Sequence, residues 1–239
     1  TEVLGEANRP DVETRAIIET HGLRTEFPEQ AIEEARQAAS KFEKEELNPA
    51  SDREDLTALL AFTIDPPDAR DYDDAISVTF DPERDEWELG IHIADVAHFV
   101  ESNNDLDREA RARGNSVYLP RLVIPMLPEI LSNGVCSLQE NVPRFTKSVF
   151  VTINTQGKVV DQRLARTRIC SRKRLTYIEA QAVIDGNLKT ARQHAKSPPV
   201  YDEDLVEALR EATRLAKAIQ KRRLSNGMLV LAMPEFELV

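Results

Sequence analysis

Cysteine is nearly absent from this 239-residue sequence, with Cys136 and Cys170 the only two. Two thiols cannot make a disulfide framework or a zinc centre built mainly from cysteine. A reducing, cytoplasmic-type compartment is therefore the expectation. Long apolar runs are missing too: nothing approaches the ~20 residues of a membrane-spanning helix. The opening residues, Thr1 to Glu6, resemble neither a secretory signal nor a basic transit segment. Aromatic residues make up only 5% of the chain. What is present is the mix of a soluble globular protein, 41% hydrophobic and 31% charged. The length allows one large domain or two small ones, with a core that needs no covalent staples.

Net positive charge is also lacking. The chain carries -11, which argues at first against a nucleic-acid partner. The distribution changes that reading. Residues 1–58 hold 15 acids and 7 bases, whereas the remainder holds 27 and 24. Asp65 to Asp74 alone contain five acids and one base, and Lys158 to Arg174 contain seven bases and one acid. An acidic pocket beside a basic stripe suits a metal-dependent enzyme acting on a polyanion. A pair of solvated faces accounts for the same charges.

The pattern is helical at the start and strand-like from Leu59. Ala31, Ile32, Ala35, Ala38, Ala39 and Phe42 recur at helical spacing, with Pro28 near the first turn and Asn48-Pro49-Ala50-Ser51 as the stop. Leu59 to Ile64, Ala75 to Phe80 and the run from Trp87 read as strands, with a turn at Asp81 to Asp85. Asp105 to Arg113 reads as a short helix stopped at Gly114. Phe145 to Asn154 and Val159 to Cys170 form a hairpin around Thr155 to Lys158. Asn187 to Val200 reads as a loop, Asp202 to Arg223 as the clearest helix, and Met228 to Val239 as a strand. The fold class is α/β of the α+β kind, a mixed and largely antiparallel sheet with packed helices. Residues 1–52 form a helical lead-in arm and 53–239 a second, chemical region.

The chemistry concentrates in Asp65-Pro66-Pro67-Asp68-Ala69-Arg70-Asp71-Tyr72-Asp73-Asp74. Carboxylates ~4 Å apart near a surface repel by a few kcal/mol, so such a cluster holds protons or binds cations. Oxygen donors are hard ligands, which favours Mg²⁺, Mn²⁺ or Ca²⁺. The run lacks the glycine and terminal glutamate of an EF-hand loop. Chemistry alone leaves two readings open. One is a metal site able to assist attack on a phosphodiester. The other is a solvated acidic loop, or one shaped by a single Ca²⁺. His92, flanked by Ile91 and Ile93, reads as a hydrogen-bonded structural residue rather than a general base, and Asp95 as structural.

At this loop the sequence resembles the RNB catalytic domain of the ribonuclease II/ribonuclease R family of 3′→5′ exoribonucleases. The likeness extends to Asp55-Leu56 with Ala61 to Asp65, to Ile91-His92-Ile93-Ala94-Asp95-Val96-Ala97, and to Gly114-Asn115-Ser116-Val117-Tyr118-Leu119-Pro120. It continues through Ile124 to Glu129, Leu131-Ser132, Cys136-Ser137-Leu138, and Gly227 to Leu231 with Pro234-Glu235.

The resemblance implies that Asp65, Asp71, Asp73 and Asp74 are the catalytic, metal-holding aspartates, with Asp73 the most sensitive. It implies Mg²⁺, with Mn²⁺ as a substitute, and hydrolysis of single-stranded RNA to nucleoside 5′-monophosphates, with no membrane partner. Tyr118 matches the tyrosine that packs on the 3′-terminal base; base–aromatic stacking is worth ~1–3 kcal/mol and tolerates any sequence. The basic stripe, Arg166 and Arg168 above all, becomes a candidate RNA path. The family's RNA-binding barrels and the latter half of its catalytic domain have no counterpart in these residues. The sequence therefore reads as the N-terminal portion of the domain, with little activity expected from the 239 residues alone. Two rivals are a non-catalytic RNA-binding relative and a Ca²⁺-binding structural module.

Overall fold

The computed structural model describes residues 3–6, 9–46, 52–120 and 122–231. They fall into two compact units, one within residues 1–44 and 96–134, the other within 45–95 and 135–233.

The first unit is mainly helical. Pro10 opens helix α1 (Pro10–His21), where its missing N–H costs nothing. Gly22, at φ 59°, closes it in the left-handed conformation and donates its N–H to the carbonyls of Glu19 and Ile18. Helix α2 (Glu29–Glu46) buries Ala31, Ala35, Ala39 and Phe42, the stripe legible in the sequence. Helix α3 (Asp105–Arg113) is capped by Asn104, whose side chain accepts the Asp107 N–H. Glu109 is buried between Arg24 at 2.6 Å and Arg113 at 3.0 Å. A two-stranded ribbon follows, β4 (Val117–Leu119) antiparallel to β5 (Leu122–Ile124).

The second unit is a closed barrel. Its strands are β1 (Glu54–Asp65), β2 (Asp74–Asp81), β3 (Glu86–Ala94), β6 (Pro143–Asn154) and β7 (Val159–Thr176), neighbours in that order. Every pairing is antiparallel except the closing one, where β1 lies parallel to β7. Helices α4 (Tyr177–Ile184), α5 (Leu188–His194) and α6 (Glu203–Ser225) complete the unit. Phe62 and Leu175 pack with Val183, Leu205 and Leu209 in one apolar cluster. Trp87, Val78, Ile153 and Leu215 make another, in which the Trp87 indole donates to Glu211 at 2.7 Å.

A second buried zone is polar. His92 is fully buried; its Nε2 lies 3.1 Å from the Ser77 hydroxyl and its Nδ1 2.7 Å from the Ser148 hydroxyl. Thr146 and Thr167 extend the network. Gly90 leaves room for it: a Cβ there would stand 2.4 Å from Ser77 Oγ and 2.7 Å from His92 Nε2. Burial holds the imidazole down to about 4. Below the ordinary 6.5 the unfolded chain takes up a proton that the folded chain refuses. Stability is therefore complete above pH 6.5 and falls as pH drops toward 4, by about 3 kcal/mol from this residue. The urea midpoint should fall across that window, and His92→Gln should flatten the slope. An equal slope in both proteins would refute the assignment.

Two stretches depart from the sequence expectation. Residues 188–194 form α5, with Asn187 accepting the Thr190 N–H as its cap. The helix is too short for periodicity to announce it. Residues 228–231 carry no strand. The rest of that segment, including Pro234-Glu235, lies outside the described residues, as does the stop at 48–51.

Candidate metal centre

The acidic loop links the end of β1 to the start of β2. Asp65 closes β1, opposite Thr176 at the end of β7, and Asp74 opens β2, opposite Ile93. The loop's carbonyls and amides are tied down from three sides. Asp73 accepts the Ala94 N–H at 2.9 Å, and Tyr72 accepts the Leu138 N–H at 2.9 Å. The fully buried Ser137 hydroxyl accepts the Tyr72 N–H at 3.2 Å and donates to the Arg70 carbonyl at 2.8 Å. The Tyr72 hydroxyl turns back to the Ala69 carbonyl at 3.0 Å. Arg174, only 9% exposed, donates from one terminal nitrogen to the carbonyls of Pro66 and Pro67, each at 3.2 Å. Neither Ser137 nor Arg174 stood out for this job in the sequence, because both act through backbone atoms that leave no side-chain pattern.

The four aspartates differ in environment. Asp65 is buried, Asp71 half-buried, and Asp73 and Asp74 exposed. Burial raises the Asp65 carboxyl above its ordinary value, and the charges of Asp74 and Asp71 add to that against the opposing Thr63 hydroxyl and Arg174. Asp73 is raised as well, by partial desolvation of its carboxyl and then by Asp71, Asp74 and Asp65. The loop thus gathers carboxylates that act on one another's charge. Asp65 Oδ2 is buried with no hydrogen-bond partner. Among the described residues, no group of three or more histidine, cysteine or acidic side chains is arranged as a metal-binding cluster. The donor set suits a hard cation, and the orphaned Asp65 oxygen is a place for one.

Nearby charges are structural. Asp95 pairs with Arg53 at 2.7 Å, both side chains 2% exposed, and with Lys147 at 3.3 Å. Burial alone would raise the Asp95 carboxyl, but Arg53 and Lys147 outweigh it and hold it below the ordinary range. The Cys136 thiol is pushed up to about 12 by burial and then by the charge of Asp73, so it stays a thiol.

The chain matches the family model described as the RNB domain over residues 53–239. It belongs to the RNB-domain family. A protein named Ribonuclease R from Chlamydia muridarum is 38% identical over 235 residues, 98% of this chain and 32% of the relative. The Ribonuclease R of Thermotoga maritima is 40% identical over 220 residues, 91% of this chain and 30% of the relative. The RNB-domain chain thus spans about a third of the length of these relatives. Among solved structures, Mycoplasma genitalium RNase R in complex with ribose-methylated single-stranded RNA superposes with a TM-score of 0.81 at 33% identity. That match covers 100% of this chain and 35% of the other. The same enzyme in complex with double-stranded RNA gives a TM-score of 0.82 at 32% identity, over 98% and 39%. Yeast Ssd1, described as a pseudonuclease, shares the fold at 19% identity with a TM-score of 0.62. An RNB fold therefore does not by itself make a nuclease; the chemistry rests on site residues.

The other expected contacts take these positions. Tyr118 lies on β4 in the first unit, 66% exposed, with exposed Val123 as its cross-strand partner on β5. The stripe on β7 runs on past Cys170 to Thr176, in the alternation that puts Arg166, Arg168 and Arg172 on the less buried side. Arg166 pairs with Asp52, Arg163 with Glu54 and Arg172 with Asp202. Lys173 is buried, 3.6 Å from both Glu140 and Glu179. Among the described residues no helix is long and apolar enough to cross a membrane.

Proposed function

We propose that the protein is a 3′→5′ exoribonuclease that hydrolyses single-stranded RNA to nucleoside 5′-monophosphates. The observation that carries this reading is the braced loop of four aspartates, with its buried, unpartnered Asp65 oxygen, in an RNB-family chain. The relatives named Ribonuclease R and the RNase R structures with RNA support it. Residues 1–52 serve as the arm and 53–239 as part of the catalytic domain.

Asp65, Asp71, Asp73 and Asp74 would hold Mg²⁺, or Mn²⁺ in its place. The cation supplies Lewis-acid activation of water and of the phosphate. The chain's own part is to fix the loop backbone and to keep Asp65 away from bulk water. Because Asp65 and Asp73 are raised, protons compete with the metal, and affinity falls as pH drops toward the carboxylate range. Tyr118 would stack on a base. Arg166 and Arg168 would attract the phosphate backbone, Arg166 by exchanging Asp52 for phosphate. Cys136 and Cys170 as reduced thiols fit a reducing cytoplasm.

The test uses uniformly labelled single-stranded RNA and a DNA strand of matched sequence with the full-length protein. Mononucleotide release from RNA should need Mg²⁺ or Mn²⁺, stop with a chelator and weaken steeply with salt. Equal rates on RNA and DNA, or turnover that survives the chelator, would overturn the proposal.

A further inference from the structure

Arg174 lies within the basic stripe but faces no phosphate-binding surface. It is buried at the join between β7 and the acidic loop, and its register partner is Thr63, two residues before Asp65. One terminal nitrogen reaches three loop carbonyls: Pro66 and Pro67 at 3.2 Å and Ala69 at 3.5 Å. The guanidinium carbon sits 4.9 Å from the centroid of the Tyr72 ring. Tyr72 in turn holds the Ala69 carbonyl and separates Asp71 from Asp73. Arg174 is itself fixed: its backbone N–H donates to Glu140 at 2.9 Å, and Glu140 is anchored by buried Lys173 at 3.6 Å.

The guanidinium makes no ion pair with a loop carboxylate among the described residues. Its Nε is buried without a hydrogen-bond partner, and so is Asp65 Oδ2. Its hydrogen bonds to the loop go to backbone carbonyls rather than to Asp65. A salt bridge to Asp65 would have occupied the oxygen that a cation needs.

We infer that Arg174 is a positioning residue: by holding the Pro66, Pro67 and Ala69 carbonyls and the Tyr72 ring, it sets the backbone that presents the four aspartates to a divalent cation. This rests on the metal-site reading above and deepens it. Arg174 touches neither the ion nor RNA.

The sign of its effect separates this role from simple electrostatics. A cationic side chain near a metal site opposes the ion through its charge, so removing a purely electrostatic arginine tightens metal binding. Removing a brace loosens it, by about ten- to a hundredfold where other outer partners of metal ligands have been lost. Lysine keeps the charge, but its shorter side chain ends before the position of the arginine's terminal nitrogen and it has no planar group to set over the Tyr72 ring, so it holds the carbonyls and the ring less well.

The experiment is Mn²⁺ titration followed by electron paramagnetic resonance, with urea midpoints recorded for each protein. Wild type, Arg174→Met, Arg174→Lys and Asp73→Asn are compared. The expected result is Mn²⁺ affinity about tenfold or more weaker in Arg174→Met, and weakened in Arg174→Lys, in folded protein. Unchanged or tighter binding in folded Arg174→Met would overturn the inference. If Arg174→Met does not fold, Arg174→Lys decides, and wild-type affinity there overturns it. If the wild type itself binds no Mn²⁺, or binds it equally after Asp73→Asn, the metal-site reading fails instead.

Discussion

Asp73→Asn should reduce mononucleotide release by at least about a hundredfold while RNA affinity stays within a few-fold of wild type. The size follows from losing one charge-stabilising ligand at a reacting phosphate, which costs about a hundred- to a thousandfold in comparable sites. The selectivity follows from geometry. The backbone carbonyl of Asp73, which accepts the Ala94 N–H, is kept in the variant, and asparagine has the same shape. The loop should therefore hold its course. Stability should rise slightly, because Asp73 is raised by desolvation and by three neighbouring carboxylates, and the neutral amide removes that repulsion. Single-turnover rates on labelled RNA, equilibrium binding to the same RNA and a urea midpoint together check the claim. More than a tenth of wild-type turnover would remove Asp73 from the chemistry.

The largest stability effect should come from Asp95→Ala. Arg53 would then lose its carboxylate partner in the interior, where it lies above the Phe145 ring at 4.2 Å and 3.4 Å from the Thr146 carbonyl. Breaking a buried pair from one side costs about 3–5 kcal/mol. That is a large fraction of the ~5–15 kcal/mol that holds a typical domain together. The double variant Arg53→Met with Asp95→Leu should recover most of the loss, since an apolar pair of similar volume carries no stranded charge. Urea unfolding of the three proteins measures this. A loss under about 1 kcal/mol in Asp95→Ala would mean that solvent reaches Arg53.

Much of this architecture could be read in the sequence, and the misses share a cause. The hairpin around Thr155 to Lys158, the turn at Asp81 to Asp85 and the long helix after Asp202 rest on neighbours along the chain, and they appear where expected. His92 between two isoleucines is doubly hydrogen-bonded, the structural role read for it in the sequence. Closure of the sheet was not legible, because β1 meets β7 only through residues far apart in sequence. The partners of the basic stripe were hidden for the same reason. Its charges look free along the chain, yet Asp52, Glu54, Asp202 and Glu179 arrive from other elements to meet them. At the acidic loop, residue identity was visible while its bracing by Ser137 and Arg174 was not.

The parallel seam between β1 and β7 has a kinetic consequence. Strands β2, β3, β6 and β7 can zip as successive antiparallel neighbours, but Glu54 must wait for Thr167 and Asp65 for Thr176 before the ring is complete. Pairings of such long sequence separation form slowly, because chain entropy is spent before contacts return it. Arg174 reaches the loop only from that same seam. The backbone of the acidic loop should therefore be the last part of the barrel to take shape. During refolding, Mn²⁺ affinity should emerge after the sheet signal has matured, and on a ribosome only once β7 has cleared the exit tunnel.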